Sequence, residues 1–486
     1  MSIAKNLVEQ VNLFINNQEF ATGKDLEIRD PGKRSDIAGR VSIGDASHVD
    51  QAVTAAHQAF LSWRNTDVKE RVQLVLQAAH IIKESAQELA PFLVREHGGM
   101  LWEANLDFYL GEHHSEFYAG VAESFLKPEQ SEDERSWISS EKTAKGVIAA
   151  IVPWNMPIVL TMNKLAPALL MGNTIVVKPS PTAPLILSVL LQRIAAFFPA
   201  GVINVVHGNA DVGEALTSHP LVRKVAFTGG TETGKKVMAS AAKGVKNVTL
   251  ELGGNDPAII LDDVNNLDEI VTNILKATYM RSGQICFAVK RVYVPESLYD
   301  KFYNIACELS DEYKVGHGLN EQSSFGPLNS EKQYNFVKEL IHKAKHNGAT
   351  VRELGQKVDP DGWNDGYYIL PHVIRDVNPG EHVVSCEQFG PVLPIVSYKN
   401  VDQAIEMANN CELGLCSSVW SSDHERALAV ARRVEAGTTF INRHTADSLK
   451  LPMLFGGVKQ SGIGRELAVH ETLNEYIDHH FIRTFK

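Results

Sequence analysis

The 486 residues predict an α/β fold built on a doubly wound parallel sheet. Three observations carry that expectation. Across residues 146–252, short β-branched runs alternate with segments whose apolar residues recur at helical spacing. The connections are short, which sets successive strands side by side in a parallel sheet. The alternation resumes across residues 267–442, and a chain of this length holds two or three domains at roughly 150 residues each.

Residues 13–20 alternate and end in polar turn residues, as an early strand or hairpin does. Residues 48–63 and 69–97 show helical spacing and are rich in Ala and Leu. Residues 146–153 read as a buried strand, 165–171 as helix, 173–178 as strand and 184–198 as helix. The series continues with strand 202–206, helix 213–218, strand 222–227, helix 233–242 and strand 247–252. In the second half, 267–279 is helical, 289–294 a strand, and 297–311 and 330–347 helices. Helices at 401–410 and 424–434 and a strand at 438–442 complete the set. The tail, 472–486, alternates and becomes β-branched. A free-standing terminal strand is a liability unless it pairs, and pairing with another subunit is expected.

Composition narrows the functional classes. Hydrophobic residues at 44% and charged residues at 22% are ordinary for a globular chain. The net charge of −11 comes with no basic block, so no nucleic-acid partner is expected. The five cysteines, Cys286, Cys307, Cys386, Cys411 and Cys416, are scattered and without CxxC spacing. That argues against a disulfide framework and a zinc site, and for a reducing, cytoplasmic location. Residues 1–6 open no apolar core of signal-peptide type. The most apolar region, 146–172, is broken by Pro153, Asn155, Pro157, Asn163 and Lys164, so no membrane span is expected.

Chemistry enters with Cys286, in Arg281-Ser282-Gly283-Gln284-Ile285-Cys286, and Glu251, in Leu250-Glu251-Leu252-Gly253-Gly254-Asn255. A thiol and a carboxylate are what an enzyme needs to attack a carbonyl and then hydrolyse the acyl-enzyme. Either alone carries little: a lone Cys is commonly buried filler, and a Glu before Gly-Gly commonly ends a strand. Around them stand Pro153-Trp154-Asn155-Met156-Pro157, Phe227-Thr228-Gly229-Gly230-Thr231, Glu387-Gln388-Phe389-Gly390-Pro391 and Phe455-Gly456-Gly457-Val458-Lys459-Gln460-Ser461-Gly462. In this order and spacing the segments resemble the aldehyde dehydrogenase superfamily, over essentially the whole chain.

The resemblance implies a Rossmann-like cofactor domain (1–123 and 144–252), an α/β catalytic domain (253–468) and a small β flap for oligomerisation (124–143 and 469–486). It implies an NAD(P)-dependent, non-acylating enzyme working as a homodimer or homotetramer on a small-molecule aldehyde. Cys286 would be the nucleophile, with Asn155 and the Cys286 backbone N–H as oxyanion donors. Glu251 would activate the deacylating water. Lys164 and Glu466 match a second proton relay, and equally fit a buried structural ion pair. Trp154, Lys178, Ser180, Gly208, Phe227, Gly229, Gly230, Glu387 and Phe389 would hold the cofactor. The backbone N–H groups after Gly229 and Gly230, at a helix start, suit a pyrophosphate. Met156, Val159, Leu160, Asn163, Tyr279, Ile285 and Phe455 would line a substrate tunnel. Arg281 and Arg443 leave an anionic substrate open. Two departures matter: Pro181 stands where the family often has Glu, and Gly230 where it often has Ser. Losing that carboxylate removes an acceptor for the adenosine 2′-OH and the charge that would repel a 2′-phosphate. NAD is expected, with NADP open. Two rivals follow: a CoA-acylating relative, against which Glu251 argues, and a catalytically silent relative, against which the intact set argues.

Overall fold

The computed structural model describes residues 8–445, 448 and 450–486. Two sheets organise it. In the first, five strands run parallel in the order Asn247–Glu251, Val222–Thr228, Val147–Ile151, Thr174–Lys178 and Ile203–Val205. The hairpin of Leu13–Ile15 and Gln18–Phe20 extends one side, and Gly462–Ile463 closes the other. Side chains alternate between two cores. Ile148, Ala150, Ile175 and Val177 face one, while Val147, Ala149, Val176 and Phe227 face the other. Both faces are covered, so these strands read as continuous apolar runs.

In chain order the parallel strands start at Val147–Ile151, grow outward through two strands, then restart on the other side with Val222–Thr228. The switch point therefore lies between Val147–Ile151 and Val222–Thr228. In open α/β sheets, ligands bind at the carboxyl ends of strands at such a point. Those ends lead into Trp154-Asn155 and into Gly229-Gly230.

The second sheet is parallel from His372–Arg375 through Val392–Tyr398, Val289–Pro295, Asp256–Ile260 and Cys416–Trp420 to Thr438–Ile441, with Thr350–Glu353 antiparallel at its edge. Its strands begin where the candidate residues end: Cys286 precedes Val289–Pro295, and Glu387 and Phe389 precede Val392–Tyr398. The amino ends of this sheet thus face the carboxyl ends of the first.

Several elements depart from the sequence reading. Leu101–Phe125 is a 25-residue helix that the apolar spacing did not reveal, and Asp25–Asp30 pairs antiparallel with Lys33–Ser42. The helix expected at 165–171 starts earlier and spans Pro157–Leu170, because Asp107 accepts hydrogen bonds from the first-turn N–H groups of Ile158 (3.0 Å) and Val159 (2.8 Å). The terminal strand, Ile477–Phe485, is not free-standing. It pairs antiparallel with Ser136–Ala144 of its own chain along its whole length, beside Glu129–Glu132, and only its outer edge stays open. No helix among the described residues is long and apolar enough to cross a membrane.

Candidate active site

Cys286 sits at the end of a tight turn. Arg281, Ser282 and Gly283 all adopt positive φ, at 56°, 57° and 74°. Two consecutive non-glycine residues in that region are costly and need support from outside. The support comes from three directions. Glu103, on Leu101–Phe125, accepts from the Arg281 N–H (2.6 Å) and lies 3.6 Å from its guanidinium. Ser282 donates to the Gly326 carbonyl (2.7 Å). The buried Lys290 ammonium donates to the carbonyls of Gly283 and Gly390 (3.3 Å to the latter), tying this turn to the Glu387 loop. Burial lowers Lys290 to about 8, with Glu387 and Asp256 pulling it back up.

Asn155 reaches the same turn from the first sheet. Its Nδ2 donates to the Gln284 carbonyl at 3.0 Å, and its Oδ1 accepts from the Met156 N–H at 3.1 Å. One Nδ2 hydrogen is thus engaged and the carboxamide plane is fixed beside Cys286. The thiol is held above its ordinary range by burial first, then by the carboxylates of Glu251, Asp256 and Glu387; the Phe287 N–H opposes them. Asp256 was not foreseen. It is 1% exposed at the start of its strand, accepts from the Cys416 N–H (3.1 Å) and faces buried His444.

Glu251 ends the strand Asn247–Glu251 and is 4% exposed, with neither carboxylate oxygen hydrogen-bonded. Burial and the neighbouring Glu466 push it well above the carboxylate range, while Lys164 and Arg465 draw it down. Lys164 and Glu466 do meet, Nζ to Oε1 at 2.8 Å, both almost wholly buried. The structure therefore brings Cys286, Asn155, Glu251, Lys164 and Glu466 into one neighbourhood.

The expected cofactor residues gather at the switch point. Lys178 closes its strand, is 5% exposed, and its ammonium donates to the Pro179 carbonyl (3.3 Å). Burial lowers it to about 8 against the pull of Asp211. Ser180 Oγ meets Thr182 Oγ1 at 3.1 Å. Gly208 follows the strand Ile203–Val205, and Phe227 is buried under the turn of Gly229 and Gly230. Gly230 caps the helix Thr231–Ala242 with open space around it. Beside it, Thr228 Oγ1 is buried without a partner, a polar atom aimed at the switch point. Glu387 accepts from the Gly254 N–H (3.1 Å) and its other oxygen lies against Gly253; burial raises it to about 7. Phe389 packs edge-on to Trp154 at 6.0 Å. A buried lysine, a half-buried carboxylate, an orphan hydroxyl and an open helix start fit a dinucleotide.

A cavity of about 640 Å³ opens beside Ile285 and Phe287, which flank Cys286. Of the residues expected to line a tunnel, Tyr279 and Ile285 do so. Met156 and Phe455 pack instead in the apolar cluster around Cys286, and Leu160 sits half-buried in the first turn of its helix, outside the cavity lining. Val159 and Asn163 are buried outside the cavity lining, and Asn163 Oδ1 meets His114 Nδ1 at 2.7 Å. The outer wall comes from the unforeseen helix, through Trp102, Leu106, Tyr109 and Leu110. Arg443 lines the cavity, whereas Arg281 is buried in its turn.

The aldehyde dehydrogenase family profile matches residues 18–482. The 4-trimethylaminobutyraldehyde dehydrogenase A of Danio rerio is 36% identical over 422 residues, covering 86% of this chain and 82% of its own. The mitochondrial succinate-semialdehyde dehydrogenase of Oryza sativa subsp. japonica is 35% identical over 465 residues, covering 95% and 86%. A crystal structure of betaine aldehyde dehydrogenase from Staphylococcus aureus in complex with NAD+ superposes with a TM-score of 0.93 at 32% identity, covering 99% of this chain and 97% of that one. A whole-chain match in sequence and in fold makes this protein a member of the aldehyde dehydrogenase family, oxidoreductases that act on the aldehyde group.

Proposed function

We propose that this protein oxidises an aldehyde to its carboxylic acid with NAD+, and with NADP+ as a second acceptor, through a thioester on Cys286. The observation that carries the reading is the Asn155 carboxamide, fixed by the Gln284 carbonyl two residues before the thiol, with Glu251 close enough to disfavour the thiolate. The Cys286 thiolate adds to the aldehyde carbon and gives a thiohemiacetal oxyanion. The free Nδ2 hydrogen of Asn155 and the Cys286 backbone N–H are the donors for that charge. Bound NAD(P)+ supplies the hydride acceptor; Lys178, Glu387 and Phe389 would hold it. Loss of hydride leaves an acyl thioester, and Glu251 takes a proton from the water that adds to it, releasing the acid and the thiol. Lys164 and Glu466 give that proton a route away from Glu251.

The apolar and aromatic cavity wall supports an aldehyde carried on an apolar body. Five unpaired cysteines support a reducing, cytoplasmic setting. The division into cofactor, catalytic and flap domains, and assembly as a dimer or tetramer, belong to the same reading.

The test is NAD(P)H formation from a panel of aldehydes, with and without CoA. Wild type should turn over without CoA. Cys286→Ala should lose turnover while still binding NAD+. Substantial oxidation by that variant, or a strict need for CoA, would refute the mechanism.

A further inference from the structure

A second cavity, of about 330 Å³, shares no lining residue with the first. The helix Glu331–His346 forms one wall. Lys338, Lys345 and Lys357 face it, joined by His342. Among the described residues none of the three lysines stands within ion-pair distance of a carboxylate; the one carboxylate in the lining, Glu353, lies 3.5 Å from His372 and is drawn down by that ring first, with smaller pulls from Lys357 and Lys345. Two of the ammonium groups are held over rings, Lys338 over Tyr334 at 4.9 Å and Lys357 over Trp363 at 4.8 Å. Cation–π contacts position a charge without neutralising it. Ile341, Ile369 and Leu370 supply an apolar floor. In a chain of net charge −11, a pocket where three lysines meet one carboxylate over an apolar floor is a place for an anion that carries an organic body.

We propose that this cavity binds a small phosphate ester, its phosphate among Lys338, Lys345 and Lys357 and its body on the apolar floor. Lysine ammonium groups serve phosphate as point charges and need no bidentate geometry. The same helix reaches the Glu387–Phe389 loop. Gln333, adjacent to Tyr334, donates Nε2 to the carbonyls of Gln388 (2.9 Å) and Phe389 (3.1 Å). Val337 packs so closely on Gly390 that a Cβ there would come within 2.6 Å of its methyl. One face of the helix thus lines the anion cavity while the other holds the Glu387–Phe389 loop. Occupancy biases the position of that loop; reading the loop as the cofactor clamp rests on the function proposed above.

The experiment is calorimetry of phenyl phosphate binding to the enzyme saturated with NAD+, with inorganic phosphate and benzoate in parallel. One phenyl phosphate per chain is expected, bound more tightly than either comparison compound. Lys345→Glu and Lys357→Glu should each weaken it by about tenfold or more while leaving NAD+ binding unchanged. A wild type that takes up no phenyl phosphate at millimolar concentration, or variants that bind it as well as wild type, would overturn the site. Benzoate binding as tightly as phenyl phosphate would overturn the assignment to a phosphate ester. These readouts need no turnover, so they stand apart from the aldehyde reaction. In the active enzyme, phenyl phosphate should shift the apparent KM for NAD+ in wild type and not in Lys345→Glu; an unmoved KM would overturn the link to the loop.

Discussion

At the scale of single residues, the active-site charges make opposing demands. Cys286 and Glu251 are both held in their protonated forms by burial and neighbouring carboxylates, yet both must lose a proton to act. The acid limb of kcat/KM should therefore lie on the alkaline side of the ordinary carboxylate range. Glu251→Gln removes one anion beside the thiol, so the thiolate should form at lower pH, read as the pH midpoint of iodoacetamide alkylation. Slower alkylation across the whole range would instead make Glu251 the base that takes the thiol proton. The same variant should give a single-turnover burst of NAD(P)H and then a steady state slowed by about a hundredfold; an unchanged steady state removes Glu251 from deacylation. Lys164 needs a folding control in any such test, since breaking a buried ion pair costs about 3–5 kcal/mol by itself. For the cofactor, Pro181 offers no side-chain acceptor, and a neutral hydrogen bond is worth roughly 0.5–1.5 kcal/mol. Wild type should use both NAD+ and NADP+, and Pro181→Glu should raise the NAD+ to NADP+ ratio of kcat/KM by roughly tenfold. A wild type that excludes one cofactor, or a variant with no shift, assigns the choice to other residues. The residues proposed to react could be named from the sequence because short motifs hold them. Asp256, Lys290 and Glu103 were not, because each acts across the fold: Glu103 reaches Arg281 over 178 positions.

At the scale of elements, the parallel strands of the first sheet were legible because they are largely apolar on both faces and bounded by turns. In the second sheet only Val289–Pro295 and Thr438–Ile441 were foreseen, and Asp256–Ile260, His372–Arg375, Val392–Tyr398 and Cys416–Trp420 were missed. The helix Leu101–Phe125 was not legible either. Its inward face sets buried Glu103, Asp107, His114 and Ser115 among Ala104, Phe108, Tyr118, Ala122 and Phe125, while Trp102 and Tyr109 are exposed on the other side, so the contrast between its faces is weak. The strands Asp25–Asp30 and Lys33–Ser42 are rich in charge and escaped for a related reason. Buried acids do structural work elsewhere too. Glu96 accepts from the N–H groups of Leu185 and Ile186 (3.0 Å to the latter) and so caps Leu185–Ala195 from a distant helix. Glu96→Ala leaves both donors unpaired in the core and should cost about 2–3 kcal/mol, lowering the thermal midpoint, whereas Glu96→Gln keeps an acceptor and should cost less. Burial raises Glu96 to about 8 in the fold, from 4.5 as the ordinary value. Between those values the unfolded chain has released the proton and the folded one has kept it. Its contribution to stability therefore falls as pH rises from 4.5 to 8 and is flat beyond. Glu96→Gln should flatten that part of the profile, and an unaltered slope would show that Glu96 does not titrate there.

At the scale of the whole molecule, the open outer edge of Ile477–Phe485 carries Phe481 and Phe485, 62% and 76% exposed. An unpaired, apolar edge strand invites another chain. Light scattering should show a dimer or tetramer, and Phe481→Glu with Phe485→Glu should reduce the assembly; a stable active wild-type monomer at micromolar concentration would refute this. The long helix Leu101–Phe125 has a different reach. Glu103 and Asp107 on its inner side brace the nucleophile turn and the helix after Asn155, while Trp102, Leu106, Tyr109 and Leu110 on its outer side wall the cavity. One rod thus separates what must not change from what can. On the proposed function, substitutions along its outer side should change which aldehyde is accepted while leaving iodoacetamide alkylation of the thiol as in wild type; a loss of alkylation in Tyr109→Ala would overturn that separation. Relatives of nearly equal identity to this chain bear the names of aldehydes as unlike as a trimethylammonium compound and a carboxylate. If the cavity takes the aldehyde as proposed, the outer side of this helix is one place where such divergence can be written without touching the residues that brace the nucleophile turn.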